Sequence, residues 1–468
     1  MLGDLFLRSV QKFPENEALH VMGETFSYSE LYERAVNLIR QPEFSEKHYC
    51  LISGTGGLNN FVEIIACWLS QKPYIPLNPK FSTSRTNHIL AQLYGINWSQ
   101  LPGLAYIIFT SGTTGIPKGV PINGDQLIRY INAFNLIVKT TLDDRVMLSH
   151  DLSFDASYLP ILSAWSNGAS LCVIPSDKTL MATRYVEDLA ISIWHSVPSV
   201  AAMSHQAGLL DPESLPSLRY AIFGGEALSL GLVKLFQSAA PHSQVINAYG
   251  PTEATIAASY YQITPHDLLS ISEDNPFLNP IPLGMPYEGV SLEIYSVDSN
   301  SLTSGIGELC IGGAQVTSGY LSSNLNKDAF FEDGGIRWYR TGDLALWDDR
   351  YGYCYKGRID RQIKFKGYRI ELQDIESALR AAANSDLVCA VPYPVLDDGS
   401  IQALVGVVAK SLSGQIEVDS VMLGLKEILP SYMVPSKILV IDDMPLSLNG
   451  KIDFKVVQEW VKVQLGPK

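Results

Sequence analysis

The sequence is short of the features that would send a chain through a secretory pathway, into a bilayer or onto nucleic acid. Its six cysteines (Cys50, Cys67, Cys172, Cys310, Cys354, Cys389) lie far apart in 468 residues. None forms a C-x-x-C pair or stands at metal-ligand spacing from a histidine, which excludes a disulfide scaffold or zinc ribbon and favours a reduced compartment. There is no apolar run of about 18 residues to span a bilayer. The opening MLGDLFLRSVQKFPENEALH carries acids and lacks the apolar core, about 7–15 residues long, of a secretory signal. Basic charge is also scarce: 34 Lys and Arg stand against 48 Asp and Glu, a net charge of −14, which disfavours a general binder of phosphate backbones. The expectation is a cytoplasmic protein with neither membrane nor nucleic acid as partner.

What is present is enough apolar material for a substantial core. Hydrophobic residues make up 46% and charged residues 18%, and the mean hydropathy of +0.09 excludes a wholly disordered chain. At about 100–200 residues per domain, the length predicts more than one domain. Residues 4–40 read as helices around a short hairpin, with Ser29 as candidate N-cap of SELYERAVNLIR. Strand-sized apolar runs then alternate with amphipathic stretches: YCLIS (49–53), AYIIFT (105–110), SLCVIP (170–175), SLRYAIFG (217–224) and QVINAYG (244–250). That alternation predicts an α/β fold with mostly parallel strands. From about 290, runs such as SLEIYSV, GELCIGG and WYRTGDLALW predict a β-rich subdomain. The last hundred residues, with the helix ELQDIESALRAA, the strands LVCAVPYPV and ALVGVVAK and the helix VMLGLKEIL, read as a small α+β unit.

The strongest local chemistry lies at Tyr106–Val120, where an apolar strand runs into the loop Thr110-Ser111-Gly112-Thr113-Thr114-Gly115 and on to Lys118. Glycines let backbone N–H groups approach an anion, hydroxyls add donors and a lysine adds a point charge, so this composition suits a polyphosphate. It is not the phosphate loop G-x-x-x-x-G-K-[ST], because Lys118 is followed by Gly119. The plain alternative is a polar surface loop.

With this loop the chain resembles the adenylate-forming superfamily, which includes nonribosomal-peptide adenylation domains, acyl- and aryl-CoA synthetases and luciferases. Further matching motifs follow in the family's order: PYIPLNP (73–79), FDAS (154–157), GGEAL (224–228), NAYGPTEATI (247–256), GELCIGG (307–313), YRTGDLA (339–345), GRIDRQIKFKGYRIEL (357–372) and PLSLNGKID (445–453). The implied fold is a large N-terminal domain of α/β subdomains plus a β-rich subdomain, residues 1–356, followed by a small mobile α+β domain, 361–468. The implied hinge is 357–361, with rotation about Asp360.

The resemblance also assigns roles. Tyr249 packs on adenine, Thr252 contacts phosphate and Glu253 binds Mg²⁺, although YGPTE alone is as readily a plain turn. Gly225, Glu226, Ala227, Asn247 and Gly250 complete the implied ATP site. Asp343, expected at a strand end, takes the ribose hydroxyls with help from Arg358; without the family pattern it would be a routine turn aspartate. Lys451 reaches the active site and offsets the repulsion as a carboxylate attacks an α-phosphate. Six cations between Lys356 and Arg369 against one acid, Asp360, are either a solvated face or a docking patch for an acidic carrier or its phosphopantetheine.

Asp155 matches the aspartate that pairs with the substrate ammonium in amino-acid-activating members; its alternative is a loop or N-cap residue. Alignment on the same motifs lines a pocket with Ala156, Leu159, Ser196, Ile222, Gly224, Ala248, Ile256 and Ala257. The small wall residues suggest an aromatic substrate, Phe or Tyr, with a large aliphatic residue next. The resulting expectation is an ATP- and Mg²⁺-dependent ligase that forms an aminoacyl-AMP and passes the aminoacyl group to the phosphopantetheine of a separate carrier protein. The rivals are a carboxylic-acid:CoA ligase of the same fold and a catalytically silent nucleotide-binding protein. The segment between about 80 and 105 is short for the family, so some peripheral strand and helix should be missing there.

Overall fold

The computed structural model describes residues 1–110, 116–175, 177–269, 280–297, 301–396, 400–410, 417–446 and 452–466. They form two compact units. One comprises residues 1–79, 94–109 and 119–359, the other 80–93, 110–118 and 360–468.

The first unit is built on a nine-stranded sheet. Its centre is parallel and runs in the order Gln244–Tyr249, Tyr220–Gly224, Ile193–Ser196, Arg145–Leu148, Ser170–Val173, Glu17–Val21. Antiparallel strands close both edges: Ser259–Gln262 and Met285–Pro286 on one side, Glu24–Ser27 on the other. The central strands are apolar on both faces, as a sheet covered on both sides requires. Trp194, Ala221, Phe223 and Val245 enter one core beneath the helix Leu230–Ala239, where Trp194 and Phe236 meet edge-on at 5.3 Å. Ile193, Ile222, Ile246 and Ala248 enter the other core, together with the helix Tyr158–Asn167. This two-residue alternation later decides which side chains reach the site.

Three further features follow from local chemistry. The helix Tyr28–Ile39 starts at Ser27, not Ser29: the Ser27 Oγ accepts from Glu30 N–H and the Glu30 carboxylate accepts from Ser27 N–H, a reciprocal capping box. A β-rich part is present as expected, with Val290–Tyr295, Gly307–Gly313, Ile336–Asp348 and Phe330–Asp333 in one sheet and Gly352–Arg358 paired to the long strand. The short segment after Pro79 carries a helix, Thr83–Tyr94, and a single 3₁₀ turn, Trp98–Gln100.

The second unit holds the hairpin Gln362–Phe365 and Tyr368–Glu371, turned through Lys366 and Gly367 at φ 51° and 79°. The three-stranded sheet Val388–Pro392, Leu404–Ala409, Lys437–Ile441 packs the helices Leu372–Ala383 and Val418–Ile428 in one core and Phe454–Leu465 in another. Cations of the basic segment are used internally. Arg358 pairs with Asp343; Arg361 binds Glu376 at 2.8 Å and lies over the Phe454 ring; Arg369 donates to Gln362 at 2.7 Å.

Candidate active site

The carboxyl edge of the parallel sheet gathers most of the first unit's candidate residues, the place where open α/β sheets hold ligands. Asp343 lies in the middle of the 13-residue strand Ile336–Asp348, not at a strand end. Gly342, at φ 71°, breaks the regular pleat there, and Asp343 pairs in register with Arg358 of the next strand. The Asp343 carboxylate accepts from the Tyr249 hydroxyl at 2.5 Å and forms an ion pair with Arg358, which also donates to Thr341 O at 3.1 Å. Burial, then the neighbouring carboxylate, pushes the Tyr249 phenol well above its ordinary value, so it remains a donor. A charged acceptor held by two buried donors is a pre-organised partner for a diol.

After Tyr249 the chain folds back on itself. A Cβ on Gly250 would stand 2.5 Å from the Ala257 Cα, so glycine is required at this approach. Thr255 and Ile256, both β-branched, adopt φ 62° and 70°, a costly conformation that the surroundings must enforce. Gln315 does so: its carbonyl accepts from Thr255 Oγ1 at 2.6 Å and its amide donates to Ala257 O at 3.2 Å. Within this turn Glu253 is fully buried, and its carboxylate accepts from the Tyr320 hydroxyl at 2.7 Å. Thr252 opens the same 3₁₀ turn. Asn247 gives its amide to Pro282 O at 2.8 Å, and Glu226 caps the helix Pro198–Gln206 through Ser199 N–H at 2.9 Å. Their side chains are therefore partly committed to structure. Gly225, at φ 78°, and Ala227 flank Glu226 on the loop after Tyr220–Gly224.

The phosphate-loop candidates are only partly in view. Ser111, Gly112, Thr113, Thr114 and Gly115 lie outside the described residues, as does Lys451. Thr110 ends the strand Leu104–Thr110 with its hydroxyl buried and without a hydrogen-bond partner. Lys118 opens the strand Lys118–Asn123. Asp360 lies at the first residue of the second unit's C-terminal stretch and accepts from Gln362 N–H at 3.1 Å.

The alternation of the sheet separates the pocket candidates. Ile222, Gly224 and Ala248 share the face that carries Ile193 and Ile246, by the registers Ile222↔Ile246 and Gly224↔Ala248. Ser196 does not: its Oγ accepts from Trp194 Nε1 at 2.7 Å and donates to Val197 O, on the opposite face. The residue of that strand on the pocket face is His195, in register with Ile222. His150, two residues beyond Leu148, faces the same way, and the two imidazoles meet at 4.8 Å between centroids. Sequence reading missed both, although the pattern I-W-H-S, with the tryptophan in the opposite core, carries the signal.

Asp155 opens the 3₁₀ turn Asp155–Ser157, with Ala156 beside it and Leu159 one turn on, buried in the pocket-side core. The residues at the two cap positions, Phe154 and Ser157, make no side-chain cap bond. The Asp155 carboxylate is near enough to raise the Tyr106 and Tyr130 phenols further after burial has raised them. Asp151 accepts from Ser153 N–H and from Asn78 Nδ2 at 3.0 Å, which ties the PYIPLNP motif to the loop bearing His150 and Asp155.

The residues present fit ATP and a hard cation. In the first unit the Asp343 carboxylate suits a ribose; in the second, taken by itself, the buried Thr110 hydroxyl has no hydrogen-bond partner and suits a phosphate oxygen. Among the described residues no cluster of three or more His, Cys, Asp or Glu could hold a metal alone. Mg²⁺ bound chiefly through phosphates needs only one or two carboxylates, which Glu253 can supply.

A parallel sheet with this carboxylate-and-tyrosine edge, followed by a smaller α+β domain, is the architecture of a nucleotide-activating ligase. The family model for AMP-binding enzymes matches residues 97–321. A "D-alanine--D-alanyl carrier protein ligase" of Streptococcus agalactiae is 34% identical over 75% of this chain and 70% of its own length, and one of Staphylococcus epidermidis is 31% identical over 97% of each. The Vibrio cholerae adenylation domain AlmE, solved with glycyl-adenosine-5'-phosphate, aligns with a TM-score of 0.88 and 26% identity over 99% of this chain and 98% of its own. The chain belongs to the AMP-binding, adenylate-forming enzyme family and is an ATP-dependent, AMP-forming ligase of the amino-acid-activating kind. Among its described residues no helix is long and apolar enough to cross a membrane.

The expectation of an aromatic or large aliphatic substrate does not survive. The relatives named above carry D-alanine in their names, a small amino acid. The physical error is visible at Gly224, where a Cβ would lie 2.9 Å from Ala248 O: this small residue marks close backbone approach, not spare volume.

Proposed function

We propose that the protein activates a small α-amino acid as its aminoacyl-AMP and transfers it to the phosphopantetheine thiol of a carrier protein. The observation that carries this reading is the likeness, across nearly the whole chain, to a relative named as a D-alanyl carrier protein ligase, joined to an aspartate at the pocket turn. In the first step a substrate carboxylate oxygen forms a bond to the α-phosphorus of ATP as the α–β phosphoanhydride bond breaks, and pyrophosphate leaves. Asp343 accepts the ribose hydroxyls while Tyr249 and Arg358 hold its carboxylate in place. Asp155 pairs with the substrate ammonium, which places the carboxylate for attack and excludes acids that lack the amine. Mg²⁺ held by Glu253 and the phosphates would neutralise charge on the departing pyrophosphate. Lys451 supplies the cation between carboxylate and α-phosphate. In the second step the carrier thiolate attacks the acyl carbon and AMP departs, so one difficult thioester formation becomes two accessible steps. The small domain of about 361–468 turns about Asp360 between the two.

The test is amino-acid-dependent ATP–pyrophosphate exchange, followed by loading of a holo-carrier. Glycine or an enantiomer of alanine should support exchange, and Lys451→Ala should lose it while still binding ATP. Near-normal exchange in Lys451→Ala would remove that assignment.

A further inference from the structure

The two imidazoles on the pocket face have no place in the reaction described above. His195 is the penultimate residue of the strand Ile193–Ser196 and His150 follows Arg145–Leu148, adjacent parallel strands tied near their ends by Ser149 Oγ donating to His195 O at 3.1 Å. His195 is 5% exposed, yet the Nδ1 atoms of both rings are buried with no hydrogen-bond partner. A buried polar atom left unmade costs more than an ordinary hydrogen bond gains, so a group with matching donors and acceptors placed against these two touching rings would be favoured. Each ring is held neutral, because burial pushes His150 down to about 4 and His195 well below its ordinary value, the latter also through His150. A neutral imidazole offers one donor and one acceptor.

Three occupants can be weighed. A metal needs a third ligand, and no such cluster occurs among the described residues. A charged substrate side chain would have to be desolvated beside rings that burial keeps uncharged and among Ile222, Ala248 and Leu159. A hydroxyl is itself one donor and two acceptors, small enough for this wall, and matches a donor–acceptor pair of neutral rings.

We infer that the His150–His195 pair reads the side chain of the substrate and that, within the small amino acids, the preferred one carries a hydroxyl, as serine does. This rests on the amino-acid adenylation proposed above and specifies its substrate. The pair is specificity-determining and touches neither the carboxylate nor the phosphates. A site built to bond a hydroxyl rejects the analogue lacking it far more strongly than an apolar site separates methylenes.

The experiment is pyrophosphate exchange on the full chain with glycine and both enantiomers of alanine and serine, for the wild type, His195→Val, His150→Leu and His195→Gln. The wild type should show kcat/KM for one serine enantiomer at least about tenfold above alanine of the same hand. His195→Val and His150→Leu should each erase that ratio while changing the alanine value less than about threefold, and His195→Gln, which keeps a donor and an acceptor, should restore part of it. If the histidine variants fail to fold, the wild-type ratio still decides. Exchange with alanine or glycine at or above serine overturns the inference and leaves adenylation standing. Exchange with no amino acid overturns both. Parallel loss of serine and alanine activity in folded variants assigns the pair a structural role and overturns the inference.

Discussion

The Asp343–Arg358–Tyr249 cluster makes a double claim that one substitution can break. Asp343→Ala removes the only carboxylate that Arg358 and Tyr249 are described as sharing. Arg358, with a side chain 9% exposed, keeps its bond to Thr341 O but loses the Asp343 carboxylate. Breaking a buried pair from one side costs about 3–5 kcal/mol, and the retained carbonyl bond argues for the lower end, about 3 kcal/mol. The Tyr249 hydroxyl, losing its acceptor, adds about 1 kcal/mol. Asp343→Ala and Arg358→Ala each break the same ion pair, so the double variant should be more stable than the sum of the single losses by about 2 kcal/mol. Urea unfolding of the four proteins measures this cycle. The nucleotide carries the second half: a charged acceptor of ribose hydroxyls is worth about 2 kcal/mol, so Asp343→Ala should weaken ATP binding roughly thirtyfold in calorimetry. Additive stability losses, or wild-type ATP affinity in Asp343→Ala, would refute the reasoning.

Two further predictions use the pocket side. Asp155→Ala should reduce exchange with the amino acid by about a hundredfold or more while barely changing competition by the deaminated acid, since only the ammonium loses its partner; equal effects on both would sink the pairing. The His150 imidazole, about 4 in the fold against 6.5 free, makes the unfolded chain bind more protons between those values. Stability should therefore fall as pH drops from about 6.5 to about 4, by up to roughly 3 kcal/mol from this residue, and His150→Gln should flatten that limb of the urea-midpoint profile. Parallel profiles for the two proteins would contradict it.

Much of the fold could be read because parallel strands covered on both faces are short continuous apolar runs, and QVINAYG and AYIIFT announce themselves that way. What escaped was direction within those runs. Ser196 and His195 differ by one residue, yet that step carries a side chain through the sheet; only Trp194, anchored against Phe236, fixes the sense. The capping box S-x-x-E at Ser27 and Glu30 was legible in full, and a nearer serine drew the cap to Ser29. Asp343 was expected at a strand end and lies mid-strand, because a glycine in T-G-D reads as a turn when it marks an irregularity inside a long strand. Gln315 and Tyr320 had no local signal: they gain meaning only by reaching Thr255, Ala257 and Glu253 from far along the chain.

The central claim is that this chain makes the adenylate of a small amino acid. ATP–pyrophosphate exchange measured across glycine, the enantiomers of alanine and serine, phenylalanine, tyrosine and the matching deaminated acids tests it most directly. The account predicts exchange with a small amino acid, none with the aromatic ones and none with any acid lacking the amine; exchange driven best by an aromatic residue or by a deaminated acid would contradict it.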